Sequence, residues 1–451
     1  MRFYGREKEL SALSNILVQS HQQAQMTIIS GRRRVGKTTL VRQSLREKAF
    51  LYFFVARKEE SLLVSEYVAQ IERTLAEIPA GTITNFQQLF AWLCQLAQHR
   101  QLNVVIDEFQ EFHRINPSIY ADIQNLWDQN KDTMRMNLLL SGSIQSLMRK
   151  IFDDYSEPLF GRATGRIHVQ PFRTSTLLTI AAEHNHNITP EDFLGLYTIT
   201  GGIPKYVEYF VNREALTHEG MVAAFFAGDT ILLEEGKALL LEEFGKEYRT
   251  YFSILSLIAA GKTSRSAITS IMERNIGGQL EKLEKDYQLI RAVRPLFSKP
   301  QSRNIKFSID DNFLNFWFRF IFKNSAAIEL QNYDFVQQVI ARDYATYSGL
   351  FLERLIRQQL GESGLFSHVG NYWRRDGTGE IDVIAWNELN KRAIVGEVKR
   401  NPKAVSLPLL EQKAIDIQRE LGGFEVTLLP FSLGDVLGGA VEKVRAVLPK
   451  D

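Results

Sequence analysis

The chain has 451 residues with 54 Lys or Arg against 52 Asp or Glu, a net charge of only +2, so any surface for a polyanion has to be local. Hydrophobic residues make up 45%, which excludes extensive disorder, and the length calls for roughly two to four domains. A single cysteine, Cys94, excludes a disulfide framework and a cysteine-based zinc site, and fits a reducing cytoplasm.

Cys94 lies in "FAWLCQLAQ" and reads as an apolar helix residue. The opening "MRFYGREKEL" has no apolar signal region. The densest aromatic run, "FLNFWFRFIF" at 313–322, is too short for a membrane span, contains Arg319, and reads as a buried helix. The expectation is a soluble, cytoplasmic protein with no membrane contact.

In chain order, apolar runs at 26–30, 51–56, 102–107 and 136–143 alternate with helical patterns, and a further strand follows Arg166. Continuous apolar strands separated by helices predict a parallel sheet covered on both faces. Residues 174–245 look helical, with one Gly/Pro break at "TGGIPKY". Residues 246–312 read as three short helices and a hairpin, the order of a winged helix-turn-helix. Residues 313–340 are a helical connector, and 341–451 read helix, three strands, helix, strand, helix. The expected fold class is α/β: a domain built on a parallel sheet (1–173), a helical lid (174–245), a winged helix (246–312), the connector, and a C-terminal α/β domain (341–451).

Gly31 to Thr38, "GRRRVGKT", fits G-x-x-x-x-G-K-[ST] between a strand and a helix. Glycines let the backbone curl its N–H groups toward phosphate oxygens, and the following helix aims its positive end at them. The candidate nucleotide contacts are Gly31, Arg34, Val35, Gly36, Lys37, Thr38 and Thr39. Lys37 adds charge at the β- and γ-phosphates, and the Thr38 hydroxyl binds Mg²⁺. "VVIDEF" supplies the partner: Asp107 for the metal and Glu108 for the attacking water. The strand ending at Ser141-Gly142-Ser143 offers a hydroxyl toward the γ-phosphate, with Ser141 the candidate; a buried strand ending in small residues looks the same. Arg162 and Arg166 precede the next strand, and Arg162 is the favoured candidate to stabilise the transferring phosphoryl group, in the same or a neighbouring subunit; a solvated arginine is the alternative. The arginines at 32–34 face nucleotide, DNA or solvent, which the residues do not decide.

"FYGREKEL", "GRRRVGKTTL", "VVIDEFQEF", "LLLSGS", "PLFGRATGRI" and "TGGIPKY" follow one another as in AAA+ ATPases of archaeal type, close to the STAND signalling NTPases, which the first half of the chain resembles. That resemblance implies a P-loop NTPase sheet and ATP with Mg²⁺. It implies that Tyr4, Gly5 and Arg6 lie near the adenine, and that Gly202 and Pro204 approach the base from the lid.

Between 262 and 309 there are ten Lys or Arg against four Asp or Glu, a local charge of +6. This suits DNA phosphates, with Arg291, Arg294, Lys299, Arg303 and Lys306 as candidates; a winged helix that only packs and transmits nucleotide state is the alternative.

In "GEIDVIAWNELNKRAIVGEVKR" (379–400) two apolar strands carry Asp382 and Glu397-x-Lys399. A hairpin brings Asp382 beside Glu397, and residues 397 and 399 share a strand face. Two acids and a lysine suit a Mg²⁺- or Mn²⁺-dependent phosphodiesterase, and Glu353 on an upstream amphipathic helix offers a third acid. The pattern resembles the PD-(D/E)xK restriction-endonuclease-like superfamily, with Ile381 where the motif's name has proline. The resemblance implies metal ligation by Glu353, Asp382 and Glu397. Three functions stay open: an ATPase coupled to DNA binding or processing, an ATP-dependent signalling or assembly switch, as a homo-oligomer, with an inactive C-terminal module, and a transcription regulator built around the winged helix.

Overall fold

The computed structural model describes residues 1–244, 248–299, 301–374, 376 and 378–448, apart from the side chains at 242, 243 and 416. The chain divides into two compact units, residues 5–170, and residues 1–4 with the chain from 171 onward.

In the first unit, five strands form one parallel sheet: β1 (Gln25–Ser30), β2 (Leu51–Phe54), β3 (Leu102–Asp107), β4 (Met136–Ser141) and β5 (Gly165–His168). Their order is β2-β3-β4-β1-β5. β3 and β4 are buried at every position because they are central and covered on both faces. Phe86, Phe90, Leu93 and Cys94 of helix Phe86–His99 join their core. Burial pushes the Cys94 thiol up to about 12, as for an inert core residue. Arg166 lies within β5, so the strand begins earlier than the sequence pattern suggests.

The second unit opens with helices Thr174–His184, Pro190–Thr200, Pro204–Val211, His218–Phe225 and Leu232–Phe244. Pro190–Thr200 starts with a capping box, Thr189 and Asp192 bonding each other's backbone N–H. Gly201 (φ 58°) and Gly202 (φ 75°) turn the chain into the next helix. A Cβ at Gly202 would stand 2.7 Å from the Phe172 carbonyl oxygen, so the close approach requires glycine.

Helices Tyr248–Ala259, Arg265–Met272 and Gly277–Glu281, the last continuing as Lys282–Asp286, precede the hairpin β6 (Ile290–Val293) and β7 (Lys306–Ile309). This is the expected three-helix and hairpin order. The expected boundary between lid and winged helix, 245/246, lies outside the described residues, as does residue 300 of the hairpin loop. The aromatic run follows as buried helix Asn312–Phe316 and its extension Trp317–Ile321, with Phe313 stacked on Tyr206.

Helix Tyr333–Glu362 spans the expected boundary at 340/341. Beyond it, β8 (His368–Tyr372), β9 (Ile381–Asn387), β10 (Arg392–Lys399) and β11 (Glu425–Ser432) form a mixed sheet in the order β11-β10-β9-β8. β8–β9 and β9–β10 are antiparallel and β10–β11 parallel. The parallel pair is crossed over by helix Leu407–Glu420. The hairpin loop between β6 and β7 packs on the β8 edge: Leu296 N–H donates to the Asn371 carbonyl, Phe297 stacks on Trp386, and Lys306 pairs with Glu380 at 3.1 Å. Among the described residues, no helix is long and apolar enough to cross a membrane.

Candidate functional site

In the first unit, β1 delivers the chain into the loop 31–36, and helix Lys37–Ser44 leaves it. Gly31 has φ 150°, and a Cβ there would meet the Val169 carbonyl oxygen at 2.5 Å. Gly36 caps the helix at φ 88°, while Arg34 holds a positive φ of 70° without being glycine. Val35 is fully buried and anchors the loop. Lys37 folds its ammonium back onto the loop's own carbonyls, 2.9 Å from Gly31 O and 3.0 Å from Arg32 O. Thr39 is exposed on the first helical turn.

Asp107 ends β3, only 5% exposed. Its Oδ2 accepts from the Thr38 hydroxyl at 2.9 Å and the Tyr52 hydroxyl at 2.5 Å, and its Oδ1 accepts the Glu108 N–H at 3.0 Å. Thr38 and Asp107 therefore present a hydroxyl and a carboxylate together at a helix N-terminus, a donor set that fits Mg²⁺. Glu108 adopts a left-handed conformation, φ 56° and ψ 39°. Its Oε2 accepts from Gln110 Nε2 and from Ser143 Oγ at 2.7 Å. Of the two serines ending the strand motif, Ser143 touches Glu108; Ser141 is buried with its hydroxyl unpartnered among the described residues. Tyr52 and Gln110 were not legible as site residues. The signal for Tyr52 lay in strand alternation, two positions before the residue that pairs with Asp107.

Arg6 is buried, and its guanidinium donates to Val35 O at 3.0 Å and Gln170 O at 2.7 Å, bracing the loop. Gly5 turns at φ 59°. Tyr4 belongs to the second unit, where its hydroxyl donates to Glu183 at 2.7 Å. Gly202 and Pro204 lie in that unit too, at the turn and first residue of helix Pro204–Val211. Arg162 pairs with Asp128 at 3.1 Å and donates to Phe160 O. Arg166 pairs with Asp153. Burial and the nearby Lys37 charge hold the His168 imidazole below its ordinary range.

In the second unit, register places Gly396 opposite Val383, so Glu397 follows opposite Asp382. Both acids are 6% exposed. Asp382 Oδ2 accepts the Val398 N–H at 2.8 Å. Lys399 bridges the two carboxylates, 3.0 Å from Glu397 Oε1 and 3.6 Å from Asp382 Oδ2. Lys413, from helix Leu407–Glu420, stands 3.4 Å from the same Glu397 oxygen. Glu397 Oε2 is buried without a partner among the described residues. Burial, then the Asp382 charge, pushes the Glu353 carboxyl up to about 7, and burial also raises Asp382. Burial lowers Lys399, but the two acids outweigh it and hold its ammonium above the ordinary range. Glu353 faces Arg357 at 3.5 Å. Among the described residues, no three His, Cys, Asp or Glu are grouped to hold a metal ion. Asp382 and Glu397, with one open buried oxygen, fit a hard cation as a pair; Glu353 is not grouped with them. Lys413, 16 residues past Glu397, and Arg357, one turn past Glu353, were missed because neither belongs to a motif that names its partner.

Of the candidate cations between 291 and 306, Lys306 is paired with Glu380, and Arg291 with Asp310 at 3.4 Å. Arg294, Lys299 and Arg303 are exposed.

Residues 3–210 match a family described as an ATPase domain predominantly from Archaea. Residues 317–407 match a family of archaeal and bacterial proteins of unknown function. An uncharacterized protein of Methanocaldococcus jannaschii is 27% identical over 407 residues, spanning 88% of this chain and 87% of that one. The Walker-type ATPase of Pyrococcus abyssi superposes with a TM-score of 0.53 at 21% identity, over 70% of this chain and 96% of that one, a likeness of fold. The ORC2 protein of Aeropyrum pernix, in ADPNP and ADP complexes, gives 0.49 at 16% identity, over 73% and 96%. The chain is thus similar, over residues 3–210, to an ATPase domain found predominantly in Archaea and, over residues 317–407, to a family of unknown function.

Proposed function

We propose that the chain binds and hydrolyses Mg²⁺-ATP and couples nucleotide state to DNA through its winged helix and C-terminal domain. The observation that carries the ATPase reading is the contact between Thr38 and Asp107 at 2.9 Å beside the phosphate loop, with Glu108 next in chain. Lys37 holds the phosphates, Thr38 and Asp107 hold Mg²⁺, and Glu108 orients the attacking water. Tyr4, Gly202 and Pro204 contact the base, and Arg162 serves the transferring phosphoryl group, in the same or a neighbouring subunit. The test pairs two variants. Lys37→Ala loses nucleotide binding, while Glu108→Gln keeps binding and hydrolyses slowly; wild-type turnover by Glu108→Gln would remove the role given to it.

DNA contact is supported by the +6 charge of 262–309 and by the exposure of Arg294, Lys299 and Arg303. A salt titration of duplex binding tests it, because phosphate contacts make affinity fall steeply with salt. The helix, three strands, helix, strand order and the buried Asp382 and Glu397, with the half-buried Lys399 between them, support a nuclease-like domain in which the acid pair holds Mg²⁺ or Mn²⁺. A second reading, an ATP-dependent switch with an inactive C-terminal module, is favoured by Lys399 bridging both acids. Plasmid cleavage with Mn²⁺ separates them: under the second reading wild type cuts no better than Asp382→Ala.

A further inference from the structure

The role proposed for Asp107 makes no use of Tyr52. Tyr52 sits on β2 opposite Val105, so its side chain shares a sheet face with Asp107, two residues on. The Arg42 guanidinium stands 5.2 Å from the Tyr52 ring centroid and pins the ring beside the phosphate-loop helix. The phenol reaches Asp107 Oδ2, the oxygen that also accepts from Thr38.

We propose that Tyr52 is a positioning residue for the metal and nucleotide site, acting through Asp107. This rests on the Mg²⁺-ATP reading above. The argument is an acceptor count. A carboxylate offers about four lone-pair positions. Oδ2 spends two on Thr38 and Tyr52, and Oδ1 spends one on the Glu108 N–H. Roughly one position remains, on Oδ1, enough for a single further donor such as a metal-bound water. By occupying Oδ2, Tyr52 therefore fixes the plane of the carboxylate and with it the direction of the remaining Oδ1 position. Without the phenol, Oδ2 regains an open lone pair and the carboxylate is free to rotate. Groups that orient a metal ligand in this way change metal affinity by about 10–100-fold when removed.

The test uses the full chain and Tyr52→Phe, which deletes one oxygen and keeps the ring over which Arg42 lies. Mn²⁺ is titrated by electron paramagnetic resonance in the presence of a non-hydrolysable ATP analogue. The expected result is a weakening of Mn²⁺ affinity of about tenfold, with analogue affinity in EDTA and the melting temperature of the free protein unchanged. Tyr67→Phe is the matched control: that hydroxyl donates to the Phe54 carbonyl at 2.9 Å and leaves the Mn²⁺ titration at wild type. Equal Mn²⁺ affinity in Tyr52→Phe and wild type overturns the proposal, as does an equal loss in Tyr67→Phe. Wild type that binds neither the analogue nor Mn²⁺ overturns the nucleotide reading itself, and this proposal with it.

Discussion

Replacing Arg6 by methionine tests whether this residue braces the phosphate loop or contacts the base. Methionine keeps an unbranched apolar stem but donates no hydrogen bonds. Two backbone carbonyls, Val35 and Gln170, lose their guanidinium donors at 3.0 and 2.7 Å. The buried Val35 acceptor left unpaired costs about 1–3 kcal/mol, and the part-buried Gln170 acceptor, which water can reach, costs less. The partner Glu9, 3.3 Å away and about a quarter exposed, adds about 0–1 kcal/mol. Against this, the variant no longer buries a guanidinium, whose charge burial already disfavours. The expected net loss is about 2–4 kcal/mol. For a unit the size of 5–170 each kcal/mol moves the melting point by about 2–4 °C, so the drop is about 4–16 °C. The assay is thermal unfolding of the nucleotide-free protein, paired with analogue binding below the transition. A residue that served only the adenine would lose affinity and leave the free protein's melting point alone. If Arg6→Met melts within about 1 °C of wild type, the bracing argument is wrong.

Three further outcomes follow from the second unit. Gly202→Ala forces a side chain into φ 75° with its Cβ 2.7 Å from the Phe172 carbonyl, and lowers stability by about 1–3 kcal/mol in urea titration; an unchanged midpoint refutes the close-packing argument. Glu353 has a raised folded pKa of about 7 against an ordinary 4.5, so the folded state holds its proton more tightly than the unfolded one. Its contribution is therefore fully present below pH 4.5 and lost as pH rises through about 7, and Glu353→Gln flattens that part of the melting-point profile in EDTA. Lys399→Met strips a shared cation from Asp382 and Glu397 and costs about 1–3 kcal/mol, held down because the ammonium is 40% exposed and Lys413 remains on Glu397. Adding Glu397→Gln recovers part of that loss; a double variant less stable than Lys399→Met contradicts the charge argument.

The elements legible in the sequence are those whose chemistry is local. The loop 31–38 is contiguous because one strand end, one turn and one helix N-terminus build a phosphate cradle, and Gly31 and Gly36 adopt the positive φ angles that cradle needs. The central strands announced themselves because burial on both faces leaves only apolar residues from Val104 to Ile106 and from Leu138 to Leu140. The hairpin pairing Asp382 with Glu397 was equally local, joined by a short turn.

Tertiary structure decided everything that depends on residues distant in the chain. It turned Arg6 inward onto the loop backbone, brought Tyr52 onto Asp107, and seated Ser143 on Glu108. It also engaged the β6–β7 loop with the β8 edge, so that Lys306 answers Glu380. Lys413 joined Glu397 from a helix with no motif of its own. A charge or hydroxyl carries no mark in sequence of the partner it will meet. Periodicity sets which face it occupies, and only the packing of one element on another brings a donor to its acceptor.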